Sequence, residues 1–441
     1  MSGSPPSQSR KLGLLMCTAL VVGNMIGSGV YLLPASLAPL GWNSIFGWVL
    51  TISGGLCLAF VFASLARAMP LAGGPYAFTR AAFGPAVAFM VSWSYWIGLW
   101  VGNAAIATAG VSYLSVFFPQ LASTTGLHAV VTLAAIWLLT GVNCRTTRLA
   151  GAVQVLSTVL KLMPLVAVIL LAALILSEQG VAAAQPFVAE EIALAPITAA
   201  ATLALWSLLG LESATVPAEQ VHEPEKTVPR ATILGTILTG IIYLFVCTSV
   251  ILLQPPAEVA ASNAPLADFI AGRWGENAGR VLALFAAISV FGALNGWILV
   301  TGELTSAMAK DGLFPSFLVR RSRRGPPVNA LVVSSGLLTG VVLLNYSETL
   351  IGLFNFVALL STTSILFMYL AVSLAALKLN AQGAIRRPAA LGVVGALATV
   401  YSLWTIYGAG LKPLVWGLVL LAAGPPVYLM MQRAGVNRKA P

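Results

Sequence analysis

The sequence predicts an all-α membrane protein of about twelve transmembrane helices, and two observations carry that prediction. The first is composition. Of 441 residues, 59% are hydrophobic and only 8% charged, whereas soluble domains carry about 25% charged residues. Mean hydropathy is +0.92, which over such a length means many spans rather than one buried core. The second is punctuation. Apolar stretches of membrane-crossing length alternate with short turns, and no hydrophilic stretch is long enough to hold a soluble domain. Residues 1–441 therefore read as a single transmembrane domain.

Taken in order, the spans fall near 12–38, 44–68, 85–117, 127–143, 152–176, 191–217, 229–254, 278–307, 328–346, 350–377, 389–409 and 413–432. Helix breakers separate them: Pro39–Gly41, Pro70–Pro75, Gly84-Pro85, Pro119, Pro224, Pro255-Pro256 and Gly325–Pro327. Residues 1–11 form a short polar tail, and the apolar stretch that follows is too long for a cleaved signal peptide. Cys17, Cys57, Cys144 and Cys247 lie in or beside apolar segments without a CxxC pair, which indicates neither disulfides nor zinc. His128 and His222 are far apart in sequence, so no metal site and no cofactor is expected. A GxxxxGK[ST] loop is absent, which argues against ATP-driven pumping.

Charge sets the expected orientation. With the N-terminus in the cytoplasm, nineteen of the 23 Lys and Arg residues fall on the cytoplasmic side: Arg10, Lys11, Arg67, Arg80, Arg145, Arg148, Lys226, Arg230, Lys310, Arg320, Arg321, Arg323, Arg324, Lys378, Arg386, Arg387, Arg433, Arg438 and Lys439. Arg273, Arg280 and Lys412 fall outside, and Lys161 lies within a span. The acids lean the other way, with Glu178, Glu190, Glu191, Glu258, Asp268, Glu276 and Glu348 outside. This is the positive-inside bias, with both termini cytoplasmic. The net charge of +10 is thus a topology signal, not a mark of nucleic-acid binding. "RRSRRG" (320–325) reads as one cytoplasmic loop.

Two spans are broken where a membrane helix should be intact. In "GNMIGSGVYLLP" (23–34), Gly27, Ser28 and Gly29 interrupt the first span. In "LWSLLGLESATVPAE" (205–219), Gly210 stands near the middle of the sixth, followed by Glu212 and Ser213. Each glycine in a helix interior is less favourable than alanine by about 1 kcal/mol. Unwinding at mid-membrane frees N–H groups at one half-helix start and C=O groups at the other half-helix end. The N–H end attracts a carboxylate and the carbonyl end an ammonium, so paired breaks point to a zwitterionic substrate. Gly23 and Gly27 also have the GxxxG spacing of close helix packing.

The stretches "GNMIGSGVYLLP", "LWSLLGLESA", "EPEKTVPRAT" and "MAKDGLFP" resemble the amino acid–polyamine–organocation (APC) transporters. Within them they are most similar to the bacterial basic amino acid/polyamine antiporters of the arginine/agmatine type. The likeness runs over roughly residues 12–432, in the same order and spacing. It implies a five-plus-five inverted repeat with broken helices 1 and 6. Repeat one would cover about 12–176, repeat two about 191–377, and peripheral helices 389–432. It also implies an amino acid or related amine as substrate, antiport by alternating access, a homodimer and a bacterial inner-membrane location.

Carried over residue by residue, the resemblance places the substrate's carboxylate and amine ends at Ile26, Ser28 and Gly29. On the third span, "YWIGLWVGNAAI" (95–106) sets Tyr95, Leu99, Asn103 and Ile106 at intervals of 4, 4 and 3, one side of a helix, with Gly98 beside them. Trp206, Leu209 and Gly210 at the second break and Trp297 on the eighth span complete the expected lining. An aromatic face attracts a cation by roughly 0.5–2 kcal/mol, which holds a guanidinium or ammonium without a buried carboxylate. Membrane tryptophans also anchor at interfaces, the reading given to Trp42, Trp48, Trp274 and Trp416. Leu99 and Ile106 depart from the cysteine and methionine of the arginine/agmatine exchangers, making the pocket floor more branched and apolar.

Lys161, in "STVLKLMPLV" (157–166), is the larger departure. The arginine and putrescine exchangers hold an apolar residue there, and the lysine resembles that of proton-coupled and neutral amino-acid members of the superfamily. An ionisable group at mid-span is expensive and a functional candidate by default, which makes protons a candidate second partner. Glu212 matches an acid linked to proton-dependent gating in the family, and Glu303, the other acid within a span, has no assigned role. Three classes result. The favoured one is an exchanger of cationic amino acids and their amines, carried by Tyr95, Asn103, Trp206 and Trp297. The alternative is a proton-coupled or exchange-type permease for neutral amino acids, carried by Lys161, Leu99 and Ile106. A channel or membrane enzyme is remote, since neither a nucleophile–base pair nor a charged ring is present, and the chain is not read as an enzyme.

Overall fold

Lipid offers the backbone no partner, and a helix satisfies its N–H and C=O groups within one segment. The chain follows that rule. A computed structural model describes residues 13–71, 73–124, 126–145, 147–215, 221–322, 325–385 and 388–433, the side chains of 147–160, 388 and 389 excepted. Arg10, Lys11, Arg323, Arg324, Arg386, Arg387, Arg438, Lys439, the Arg148 side chain and residues 216–219 lie outside the described residues. The first five expected spans are α1 (Leu14–Met25) with α2 (Gly29–Leu37), then α3 (Trp42–Ala68), α5 (Pro85–Leu114), α7 (Leu127–Arg145) and α8 (Thr147–Gln179), with α4 (Pro75–Phe83) and α6 (Gln120–Ser123) between them. The next five are α9 (Leu194–Leu208), α10 (Pro224–Leu252), α13 (Glu276–Lys310), α14 (Val328–Leu344) and α15 (Leu350–Ala381), with α11 (Pro256–Ala261) and α12 (Pro265–Trp274) before α13. Helix α16 (Pro388–Gly408) and the pair α17 (Leu411–Ala422) and α18 (Gly424–Arg433) follow.

Ten segments among the described residues are long and apolar enough to cross a membrane, and the pair α1–α2, bent by 42°, makes an eleventh. Helix α14, with 17 residues, falls just short. Four short helices were not expected. Helix α4 lies in the presumed connection 68–85 and α11 and α12 in the turn after α10, all too short for a span-sized window. Local chemistry makes them. Proline takes the first helical position of α4, α5, α10, α11 and α12, where no N–H is needed. Gly74 (φ 41°) and Gly84 (φ 85°) turn the chain into and out of α4.

Burial ranks the spans. In α5, 94% of an 18-residue stretch is buried; in α8 it is 22%, and across α17–α18 17%. Helix α5 is therefore the central post, and α8, α17 and α18 face outward. The packing pattern repeats when the first and second five spans are exchanged. Helix α3 packs on α10; α5 on α15 is matched by α13 on α8, and α3 on α9 by α10 on α1. Even the short helices follow, α4 against α5 and α12 against α13.

Candidate functional site

The first break shows what an unwound helix does with its ends. Helix α1 stops at Met25, and Ile26 leaves the helical region at φ −73°, ψ 89°. Its carbonyl end is already partnered: Lys161 Nζ donates to the Gly23 oxygen at 2.8 Å and the Tyr243 hydroxyl to the Met25 oxygen at 2.7 Å. The N–H end is open, because Gly29 and Val30 begin α2 with no preceding turn to accept from them. Ser28 Oγ accepts from Trp206 Nε1 at 3.2 Å, tying the two breaks together. The two glycines differ. A Cβ on Gly29 would lie 2.1 Å from Ser207 Oγ, so that glycine lets α2 meet α9; a Cβ on Gly27 would meet only the Met25 oxygen, at 3.9 Å.

The second break closes on itself. Helix α9 ends at Leu208, Leu209 is extended, and Gly210 sits at φ 103°, where a side chain is strained. A short 3-10 helix, Leu211–Thr215, follows. Glu212 Oε2 accepts the Gly210 N–H at 3.2 Å and the Tyr369 hydroxyl at 2.6 Å, and the Tyr95 hydroxyl lies beside the same carboxyl group. The other oxygen, Oε1, has no partner among the described residues. Glu212 is 1% exposed.

Between the breaks lies a cavity of about 40 Å³, enough by that measure for a few waters. A whole amino acid requires its walls to move apart. Ser28, Gly29, Gly98, Leu99, Asn103, Ile106, Trp206, Leu209 and Trp297 line it. Ile26, Tyr95 and Gly210, expected there, are not among the lining residues: Ile26 is buried, Tyr95 sits one turn away beside Glu212, and Gly210 backs onto Asn24. Asn24, Met25, Gly27, Gly102, Ser207, Ser361 and Ile365 line it unexpectedly. Asn24, Met25 and Gly27 were inside the first broken stretch, and Gly102 follows Gly98 by one helical turn. Ser361 and Ile365 had no such signal, since α15 is unbroken. A Cβ on Gly98 would strike Ile365 at 2.3 Å, and one on Gly102 would approach the Trp206 ring and Ser361 Oγ at 3.0 Å, so both glycines set how near α15 and the indole come.

Among the described residues, no lining residue is charged. The polar complement is backbone N–H, three serine hydroxyls and the amides of Asn24 and Asn103. Asn103 donates to Thr301 Oγ1 at 3.2 Å, while its Oδ1 has no partner among the described residues. Such a lining can attract a ligand only through dipoles and aromatic faces.

Three other expected residues lie apart. Lys161 is 1% exposed and stands behind α1 rather than in the cavity, and no described carboxylate pairs with it. Glu303, read as lying within a span, is 39% exposed near the end of α13 and pairs with Arg321 at 2.5 Å. Trp48, read as an interface anchor, is fully buried against Tyr243, with ring centroids 5.8 Å apart. A tryptophan's position along a span does not say whether its face meets lipid or protein.

A bundle of membrane-length helices around a small cavity of mixed lining, with two interrupted spans meeting at it, defines a membrane transport protein. The chain belongs to the amino acid permease family, which it matches over residues 12–431. It is 34% identical over 344 residues to the cadaverine/lysine antiporter of Escherichia coli, covering 77% of this chain and 76% of that protein. It is 29% identical to the putrescine transporter PotE of Haemophilus influenzae, over 96% of this chain and 97% of that one. Identity to the arginine/agmatine antiporter of Chlamydia pneumoniae is 28%, covering 99% and 93%.

Proposed function

We propose that the protein exchanges cationic amino acids and their decarboxylated amines across a bacterial inner membrane by alternating access, with both termini cytoplasmic. The carrying observation is the uncharged cavity walled by Trp206 and Trp297 beside Asn103. The relatives' names, which speak of lysine with cadaverine, putrescine, and arginine with agmatine, support the same substrate class. An amino acid sets its carboxylate on the N–H groups at the start of α2, near Ser28 and Gly29. Its distal cation lies against the indoles, and Asn103 Oδ1 accepts from it. A diamine fills the cation end and leaves the α2 end to water. With no carboxylate in the cavity, attraction comes from aromatic faces worth roughly 0.5–2 kcal/mol each, weak enough for release on the far side. The paired packing of the two halves supports inverted repeats of about 12–176 and 191–377 as the moving parts, and the function needs no catalysis.

The test is counterflow in proteoliposomes preloaded with lysine, cadaverine, arginine, agmatine, ornithine, putrescine, alanine or serine. A cationic pair gives the fastest exchange. Trp297→Leu abolishes it, whereas Trp297→Phe or Trp297→Tyr keeps part. Exchange confined to alanine and serine would transfer the assignment to the neutral permeases. One observation favours that second reading: Lys161, buried on the Gly23 carbonyl, places an amine behind the first break, as expected of a proton-coupled permease.

A further inference from the structure

Asn103 borders two cavities. It lines the substrate cavity, and it also lines a second one of about 10 Å³, room for about one water, where α5, α7, α13 and α14 meet. The polar walls of the second cavity are Thr301 on α13 and Ser334 and Ser335 on α14. Each serine is engaged elsewhere, Ser334 with Thr305 Oγ1 at 3.3 Å and Ser335 with Thr140 Oγ1 at 2.8 Å. Asn103 is held by Thr301, whose Oγ1 accepts from its Nδ2 at 3.2 Å. Thr301 is buried, and a Cβ on Gly302 beside it would lie 2.5 Å from Leu331, so α14 presses on α13 at this level.

The polarity of that contact follows from the other bond the hydroxyl makes. A hydroxyl has one proton to give. Thr301 gives it to the Trp297 carbonyl one turn earlier, at 2.7 Å. Its oxygen is left to accept, so the amide meets it nitrogen first, and Oδ1 becomes the group kept for another donor. Reversing the amide would require the hydroxyl to give up the Trp297 carbonyl. The same device recurs one turn on. Thr305 gives its proton to the Thr301 carbonyl at 2.7 Å and accepts from Trp96 Nε1 at 2.7 Å. An indole N–H can only donate, so there the threonine must be the acceptor.

We infer that Thr301 is the positioning residue behind the cavity's preference for a cationic end, because it holds the Asn103 amide with Oδ1 free for an ammonium or guanidinium donor. This rests on the proposed exchange of cationic substrates. Oδ1 is buried and has no partner among the described residues, and an unpaired buried acceptor is costly. A cationic chain end supplies the missing donor at charge-assisted strength, whereas an aliphatic end of the same reach supplies none. Thr301 is not among the residues lining the substrate cavity. It sets selectivity through the amide, without touching the substrate.

Calorimetric titration of the full chain in detergent with lysine and with norleucine, which is lysine without its side-chain amine, tests this apart from transport. The wild type binds lysine the more tightly. Thr301→Val keeps the branched shape and removes the acceptor; the amide turns, and the lysine-to-norleucine affinity ratio falls about tenfold, the loss of one hydrogen bond to a charged group. Thr301→Ala removes the same oxygen and gives the same fall, while Thr301→Ser keeps the acceptor and most of the ratio. In an Asn103→Leu background, Thr301→Val leaves the ratio where it stands. A wild type without preference for lysine overturns the proposed function and this inference with it. A wild-type preference that survives both Thr301→Val and Thr301→Ala overturns the inference alone. So does equal weakening of the two ligands, which would assign Oδ1 to a water in the smaller cavity.

Discussion

The two helix breaks begin from the same device, glycine at mid-span, and end in opposite states. At the first, the carbonyl end of α1 is held by Lys161 and Tyr243 while the N–H end of α2 faces the cavity. At the second, the freed N–H of Gly210 is taken by Glu212, whose carboxyl group is also held by Tyr369. The first break therefore leaves N–H groups at the start of α2 beside the cavity without a helical acceptor. The second has spent its own on an acid within the same segment. Sequence likeness between breaks does not make them equivalent sites; what decides is which side chain of the surrounding bundle arrives first.

The largest expected effect comes at the first break. Gly29→Val places a branched side chain where Ser207 Oγ already sits, 2.1 Å from the new Cβ. Counterflow should vanish. The milder Gly29→Ala should lose most activity and regain a good part when combined with Ser207→Gly. A double variant that inserts normally yet stays inactive would show that Gly29 is needed by the ligand and not by α9.

Next is the carbonyl end. Lys161→Met keeps the stem volume and removes the donor to Gly23. If this amine carries the coupled proton, wild-type uptake falls as external pH rises, since the protonated form is what moves, and the variant flattens the profile. Uptake curves of identical shape, normalised to inserted protein, would remove proton coupling through Lys161.

At the second break the comparison is sharpened by two changes of the same residue. Glu212→Gln keeps an acceptor for Gly210 and Tyr369, and its melting temperature should stay close to wild type. Glu212→Leu strands two buried donors, at about 1–3 kcal/mol each, and should melt well below it. Equal melting of both variants would mean that the carboxyl group does not hold the break.

The smallest effect is expected for Gly210→Ala. A Cβ there meets nothing nearer than Asn24 at 3.5 Å, so only the left-handed backbone is penalised, by about 1–2 kcal/mol. A modest fall in melting temperature with exchange retained fits. Complete loss of exchange would show that the second break must flex as well as hold.

Composition and punctuation alone determined that the chain crosses a membrane many times and where it is broken, and charge supplied an expected orientation. Those properties are local: apolar length, the placement of Lys and Arg, and glycine in a helix interior each act through one segment and the lipid around it. The α5 side of the cavity was legible for the same reason, since Leu99, Asn103 and Ile106 share a helix face by spacing. Only the tertiary structure decided what met that face. Ser361 and Ile365 come from an unbroken helix more than two hundred residues away, and Tyr95, on the same stripe, is drawn to Glu212 instead. Trp48, Glu303 and Lys161 went to a buried contact, a rim ion pair and the back of α1 for a single physical reason. A side chain's depth is written in its own span, but its partner is set by which neighbouring helix packs against that face.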